Sequence, residues 1–182
     1  GRDGLNRKHK RKEIRMGTRG RQIIEELGVN VSELIEMLNK ALADEWLAYY
    51  QYWMGAKVAV GMPREAVVTE LVEHANDELR HAGMLADRII SLGGTPLLEP
   101  KEWYDFTNCG YEKPENFDVR VLLDQNIKGE QCAIDVYKKI IDYTKDKDQV
   151  TYEMALEIMT DEIEHEEDLE AIKDDIATMA KN

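Results

Sequence analysis

Four long stretches of this chain repeat apolar side chains every three or four positions, and in each stretch the repeat runs straight through ionisable residues. The first reads Leu34, Leu38, Ala41, Glu45, Ala48, Tyr52, and the second reads Val67, Leu71, His74, Glu78, His81, Leu85, Ile89. The third reads Val119, Leu123, Asn126, Glu130, Ala133, Tyr137, Ile140, and the fourth Ala155, Ile158, Glu162, His165, Leu169, Ile172, Ile176. A helix that buries such a stripe buries its carboxylates as well. A buried ionised carboxylate costs several kcal/mol unless it is paired or coordinates a metal, so four glutamates and two histidines in one core require cations.

Local punctuation sets the helix ends. Asn30 followed by Glu33 reads as an N-cap with a capping box, opening a helix over 31–60 that contains Gly55 as its one interior weak point. Pro63 suits the first turn of a second helix, 63–92, which Gly93-Gly94-Thr95-Pro96 stops. Residues 93–117 hold three of the four prolines and one short helical candidate near 99–106, so they read as a long connection. Helices over 118–143 and 149–180 follow, separated by a break at 144–148. The expected fold is an all-α four-helix bundle. Its domain occupies 30–182, preceded by a basic N-terminal arm over 1–29.

Depth along the bundle tests the stripes independently, because residues equidistant from a turn lie level on antiparallel helices. Glu45 and Glu78 are centred on Gly61–Met62, and Glu130 and Glu162 are centred on Asp146, the middle of the second break. Each hairpin therefore sets one glutamate opposite a Glu-x-x-His pair. The i, i+3 spacing places that Glu and His on one face, where they can share an ion. One Glu-x-x-His alone is weak evidence; two, at matched depth and with partner glutamates, are specific.

Charge is uneven, since residues 1–21 carry nine Lys/Arg against Asp3 and Glu13 while the chain as a whole has a net charge of −13. The acidic body repels nucleic acid and attracts divalent cations. The basic run Arg7, Lys8, Lys10, Arg11, Lys12 reads first as a terminal arm, unstructured or ordered at an interface, with DNA phosphate binding as the alternative. No run approaches the ~18 uncharged apolar residues a membrane span needs, and no apolar segment follows the basic leader, so a cytoplasmic location is expected. Two cysteines, Cys109 and Cys132, without a Cys-x-x-Cys, exclude zinc-ribbon and rubredoxin-type sites and leave one disulfide, a redox pair or two independent buried thiols.

These motifs resemble the ferritin-like di-iron carboxylate proteins over nearly all of 30–180, and the bacterioferritin type in particular. The matching residues are Glu45 with Gln51-Tyr52, Asp77-Glu78-x-x-His81-Ala82, Glu130, and Asp161-Glu162-x-x-His165 with Asp168, Leu169 and Glu170 following. The resemblance implies a di-iron site with Glu45, His81, Glu130 and His165 as terminal ligands and Glu78 and Glu162 bridging, and with zinc or manganese as alternative occupants. It makes Tyr52 an electron donor beside the site; the other reading is a core-filling aromatic. The chain departs from the bacterioferritin pattern in that only Lys181-Asn182 follow the fourth helix, so no short fifth helix, and a smaller shell, are expected. That feature and the Cys109/Cys132 pair are similar to the Dps-like proteins called thioferritins. Such proteins form twelve-subunit cages that oxidise Fe(II), preferably with hydrogen peroxide and otherwise with O2, and store the ferric mineral. They pair the two cysteines near the site as a disulfide or dithiol. Cys132, two residues past Glu130, cannot share its inward face and must meet a neighbouring helix or the crossover.

Two further functions compete with ferroxidase storage. A rubrerythrin-like peroxide reductase would carry an extra glutamate where this chain has Ala133, and a DNA-compacting protein would depend on the basic arm. His74, one turn before Glu78, reads as an iron guide, a partner to a ligand, or an ordinary buried hydrogen bonder. The acidic run Glu164, Glu166, Glu167, Asp168 reads as a solvated face that could also attract cations.

Overall fold

Asn30 opens the first long helix as its sequence suggests: the side chain accepts a hydrogen bond from Glu33 N at 3.1 Å. Glu33 does not close the capping box, and its carboxylate instead accepts from the Tyr143 hydroxyl at 3.1 Å. The computed structural model describes residues 18–181 and contains six helices: α1 Thr18–Glu26, α2 Val31–Val58, α3 Arg64–Ser91, α4 Glu102–Phe106, α5 Val119–Thr144 and α6 Gln149–Met179. The four long helices form the expected bundle, α2 pairing with α3 and α5 with α6. Among the described residues no helix is long and apolar enough to cross a membrane.

Two hairpins and one crossover set the topology. The α2–α3 turn passes through Gly61, whose φ of +98° is unfavourable for any residue with a Cβ. The α5–α6 turn passes through Asp146 at φ 61°, a conformation that Asp tolerates better than most residues. Asp148 then caps α6 by accepting from Thr151 N at 3.1 Å, and Arg88 of α3 binds both its oxygens at 2.9 and 3.0 Å. This nearly buried ion pair fastens the end of α3 to the start of α6. At the opposite end, Val60 and Asp118 form a lone parallel bridge that joins the end of α2 to the start of α5.

The apolar core is split in two. One part gathers Leu34, Leu38, Leu85, Ile89, Tyr137, Ile140 and Ile158; the other gathers Tyr52, Val67, Leu71, Val119, Leu123, Ile127 and Leu169. Each buried Leu or Ile contributes about 1.5–3 kcal/mol.

One boundary needs correction. The segment 1–29 does not remain an arm throughout, because Thr18–Glu26 is the helix α1. Ile24 and Val29 are each 5% exposed and join the first apolar plug, while Arg21 donates to the Leu92 carbonyl at the end of α3 at 3.0 Å. The apolar residues of this stretch were sufficient to dock it despite its charge. The run Arg7–Lys12 lies outside the described residues.

Candidate metal centre

Glu45, Glu78, His81, Glu130, Glu162 and His165 meet in the layer between the plugs, and none exceeds 3% exposure. Each of the four long helices contributes because its apolar face carries the residue. The Nδ1 atom of His81 lies 3.5 Å from Glu45, 3.4 Å from Glu78 and 3.1 Å from Glu162. The Nδ1 atom of His165 lies 3.4 Å from Glu78, 3.4 Å from Glu130 and 3.8 Å from Glu162. Two four-residue groups result, Glu45–Glu78–His81–Glu162 and Glu78–Glu130–Glu162–His165, which share Glu78 and Glu162.

Both imidazoles are oriented from behind. His81 Nε2 donates to Asp161 at 2.8 Å and His165 Nε2 donates to Asp77 at 3.0 Å. With Nε2 committed to the aspartate, Nδ1 is the atom turned to the carboxylates, and once it gives up its proton it offers the lone pair a metal ligand requires. Arg80 binds Asp161 and Glu157 and comes within 3.9 Å of Asp77, so one guanidinium braces both aspartates. Two of the carboxylates are held in a similar way: the Tyr137 hydroxyl donates to Glu45 and the Tyr52 hydroxyl to Glu130.

The donor set fits cations. Glu45 Oε2, both Glu78 oxygens, Glu130 Oε2, Glu162 Oε1, His81 Nδ1 and His165 Nδ1 are buried without a hydrogen-bond partner. Leaving that many polar atoms unsatisfied is prohibitive unless something binds them. Burial, and then the neighbouring carboxylates, push Glu78 and Glu162 well above the usual carboxylate range. Burial opposes the His165 imidazolium, but Glu130 and Glu162 outweigh it and hold the group up at about 9. Protons and metal ions thus compete for the same atoms. Oxygen and imidazole donors together suit Fe(II), Zn(II) or Mn(II).

A cavity of about 420 Å³ reaches Glu45, Glu130 and Glu162 from the side of α2 and α5. Its wall includes the small residues Ala48 and Ala133 and the crossover residues Asn108, Cys109 and Gly110. Cys132 faces the crossover and is joined to Cys109 by a disulfide, with Cα atoms 5.8 Å apart. Asp44 clamps the same loop to α2, accepting from Asn108 N at 2.8 Å, Asn108 Nδ2 at 2.8 Å and Cys109 N at 3.0 Å. Trp103 of α4 stacks on Trp46 of α2 with centroids 5.3 Å apart, which seats the short helix.

Asp44, Asp77, Asp161 and the Tyr137 hydroxyl also hold this layer and its wall in place, roles that the apolar stripes alone do not single out. Signals were available. Three of the four inward glutamates are preceded by aspartate, and both tyrosines stand seven residues after an inward glutamate, Tyr52 after Glu45 and Tyr137 after Glu130. His74, 1% exposed, lies over the ring of His165 at 4.0 Å between centroids and meets the Tyr52 hydroxyl at 3.3 Å. Burial, and then His165, pull its imidazolium down to about 4. Glu164 and Glu167 stay on the solvated face, as does Asp168.

A four-helix bundle with a Glu/His layer between two aliphatic plugs defines a class, and the family comparison agrees: the ferritin-like domain matches residues 35–179, so the chain belongs to the ferritin-like family. Within it, the chain is 44% identical to a dodecameric thioferritin, a bacterioferritin-related protein from Bacteroides fragilis. That solved structure aligns with a TM-score of 0.89 over 91% of this chain and 98% of the other. The chain is also 37% identical to the DNA protection during starvation protein of Pyrococcus furiosus, over 83% of this chain and 82% of that protein. The bacterioferritin of Rhodobacter capsulatus is 29% identical over 76% of this chain and 81% of its own length.

Proposed function

We propose that this protein is a ferroxidase that oxidises Fe(II) at the Glu/His layer and stores the ferric product in a homo-oligomeric cage. The observation that carries the reading is the sharing of Glu78 and Glu162 between two imidazole-centred groups, which suits a pair of adjacent ions. Glu45 and His81 would hold one ion, Glu130 and His165 the other, with Glu78 and Glu162 between them.

Fe(II) is the substrate. Two Fe(II) ions give one electron each to hydrogen peroxide, two protons are taken up, and two Fe(III) and two waters result; a paired transfer avoids one-electron release of hydroxyl radical. The chain's own residues prepare this exchange. Burial favours the protonated forms of Glu78 and Glu162, so cations entering there compete with protons, while Asp77 and Asp161 keep Nδ1 of each imidazole turned inward and the two aliphatic plugs exclude bulk water. The contact of Tyr52 with Glu130 supports a role as donor of one electron when a single Fe(II) is loaded. Cys109 and Cys132 line the cavity that leads to Glu130, which supports a redox role at its mouth. Two thiols forming one disulfide release two electrons and two protons, the number one peroxide takes up.

Assembly into twelve subunits follows the thioferritin relative, and exposed Trp53, Tyr104 and Leu98 offer apolar surface for it. The name of the Pyrococcus relative, with the basic residues before Met16, favours DNA association as a second reading. The decisive experiment sizes the protein while Fe(II) and peroxide are titrated without oxygen, and counts iron retained per chain. A large shell that retains many irons is expected. A dimer that holds only its bound pair and turns over with an external reductant would replace storage with a peroxide reductase. A Glu130→Ala, Glu162→Ala double variant is expected to lose Fe(II) oxidation; a wild-type rate would remove the site.

A further inference from the structure

We infer that Glu70, His74 and Asp168 form a third, surface-opening divalent-cation site beside the paired one. The three offer donor atoms that all lie within 4.8 Å of one another. His74 Nε2 stands 3.4 Å from Glu70 Oε2 and 3.6 Å from Asp168 Oδ2. Ligands at about 2.1 Å around a tetrahedral ion are about 3.4 Å apart, so these spacings already suit one ion.

The hydrogen bonds of His74 point to a cation more strongly than the carboxylates do. The single Tyr52 hydroxyl proton is given to Glu130, so in the contact between His74 Nδ1 and the Tyr52 oxygen the imidazole must be the donor. A neutral imidazole protonated at Nδ1 presents its Nε2 lone pair to two carboxylates. Nε2 is buried and has no hydrogen-bond partner. A lone pair facing two acceptors is repulsive, and a cation at their centre resolves all three groups at once.

Position gives the site a purpose. His74 is buried against His165, whereas Asp168 and Glu70 reach solvent with side chains 56% and 30% exposed. The site opens between α3 and α6, a face of the bundle separate from the cavity on the α2 and α5 side. It therefore provides a second approach to the paired centre, on which an incoming divalent ion rests one imidazole away from Glu130 and His165. One imidazole and two carboxylates leave room for water and fewer charges than the inner layer, so this ion binds more weakly and exchanges faster.

The inference rests on the inner residues being a metal centre, and the test separates the two. Zn(II) is bound to the full-length protein, counted by equilibrium dialysis and located by anomalous diffraction at the zinc edge. Wild-type protein is expected to take up about three ions per chain, the last the weakest, and a Glu70→Gln, Asp168→Asn variant about two. Both substitutions are near the surface and preserve shape. Absence of zinc at His74 when the inner positions are full, or an undiminished third ion in the variant, overturns the proposal. Zinc at His74 with none at Glu78 and Glu162 would instead refute the paired centre and leave the third site standing.

Discussion

The two halves of the polar layer are near copies that differ at two positions. Around His81 stand Glu45, Tyr137 and Asp161; around His165 stand Glu130, Tyr52 and Asp77, in the same roles. The imidazole of one half is braced by an aspartate from the helix that carries the other half's histidine. The symmetry fails where His74 corresponds by spacing to Ile158 and Asn126 to Ala41, all four buried. At these positions one half is backed by hydrocarbon and the other by polar groups, of which His74 leads toward the surface at Asp168. Equivalent ligand sets thus need not exchange ions equivalently.

Three experiments test that contrast. The largest effect is expected from the bracing aspartates: Asp161→Asn and Asp77→Asn should each weaken zinc binding in their own half about 10- to 100-fold, measured by competition with a chromophoric chelator. Equal loss of both ions from either variant would mean that the halves do not act separately. Next, a chelator should withdraw the two inner ions in two phases about tenfold apart, the His165-side ion first. Glu130→Ala should remove the fast phase and Glu45→Ala the slow one, and a single phase in wild-type protein would abolish the distinction. The smallest effect belongs to the tyrosines. Tyr137→Phe should cost about 1 kcal/mol in thermal unfolding of the metal-loaded protein, and Tyr52→Phe somewhat more, because it also leaves His74 Nδ1 without its acceptor. Identical losses would argue that the His74 contact contributes nothing.

The helices and the inward carboxylates were legible in the sequence because both depend on one-dimensional periodicity. An apolar stripe interrupted by Glu and His at 3.6-residue spacing carries its burial with it, and the turn midpoints carry the depth. Asp77 and Asp161 were not legible in that way. Their role is to reach across to a histidine on another helix, which depends on how α3 and α6 pack and not on their own register. The same applies to Asp44, whose clamp on 107–109 exists only once the long crossover has returned over α2. Helix α1 was hidden for a different reason: nine basic residues in 1–21 masked the few apolar ones that dock it.

The disulfide that closes the wall of the cavity also acts on the unfolded chain. Cys109 and Cys132 are 23 residues apart, and the link removes freedom from the part of the chain with the longest irregular stretch. A closed loop of that size stabilises the folded state by about 3 kcal/mol. Oxidant and reductant therefore reach beyond the thiols. A chain whose disulfide forms under an oxidant becomes harder to unfold, and a reducing environment returns it to a softer, more easily turned-over form.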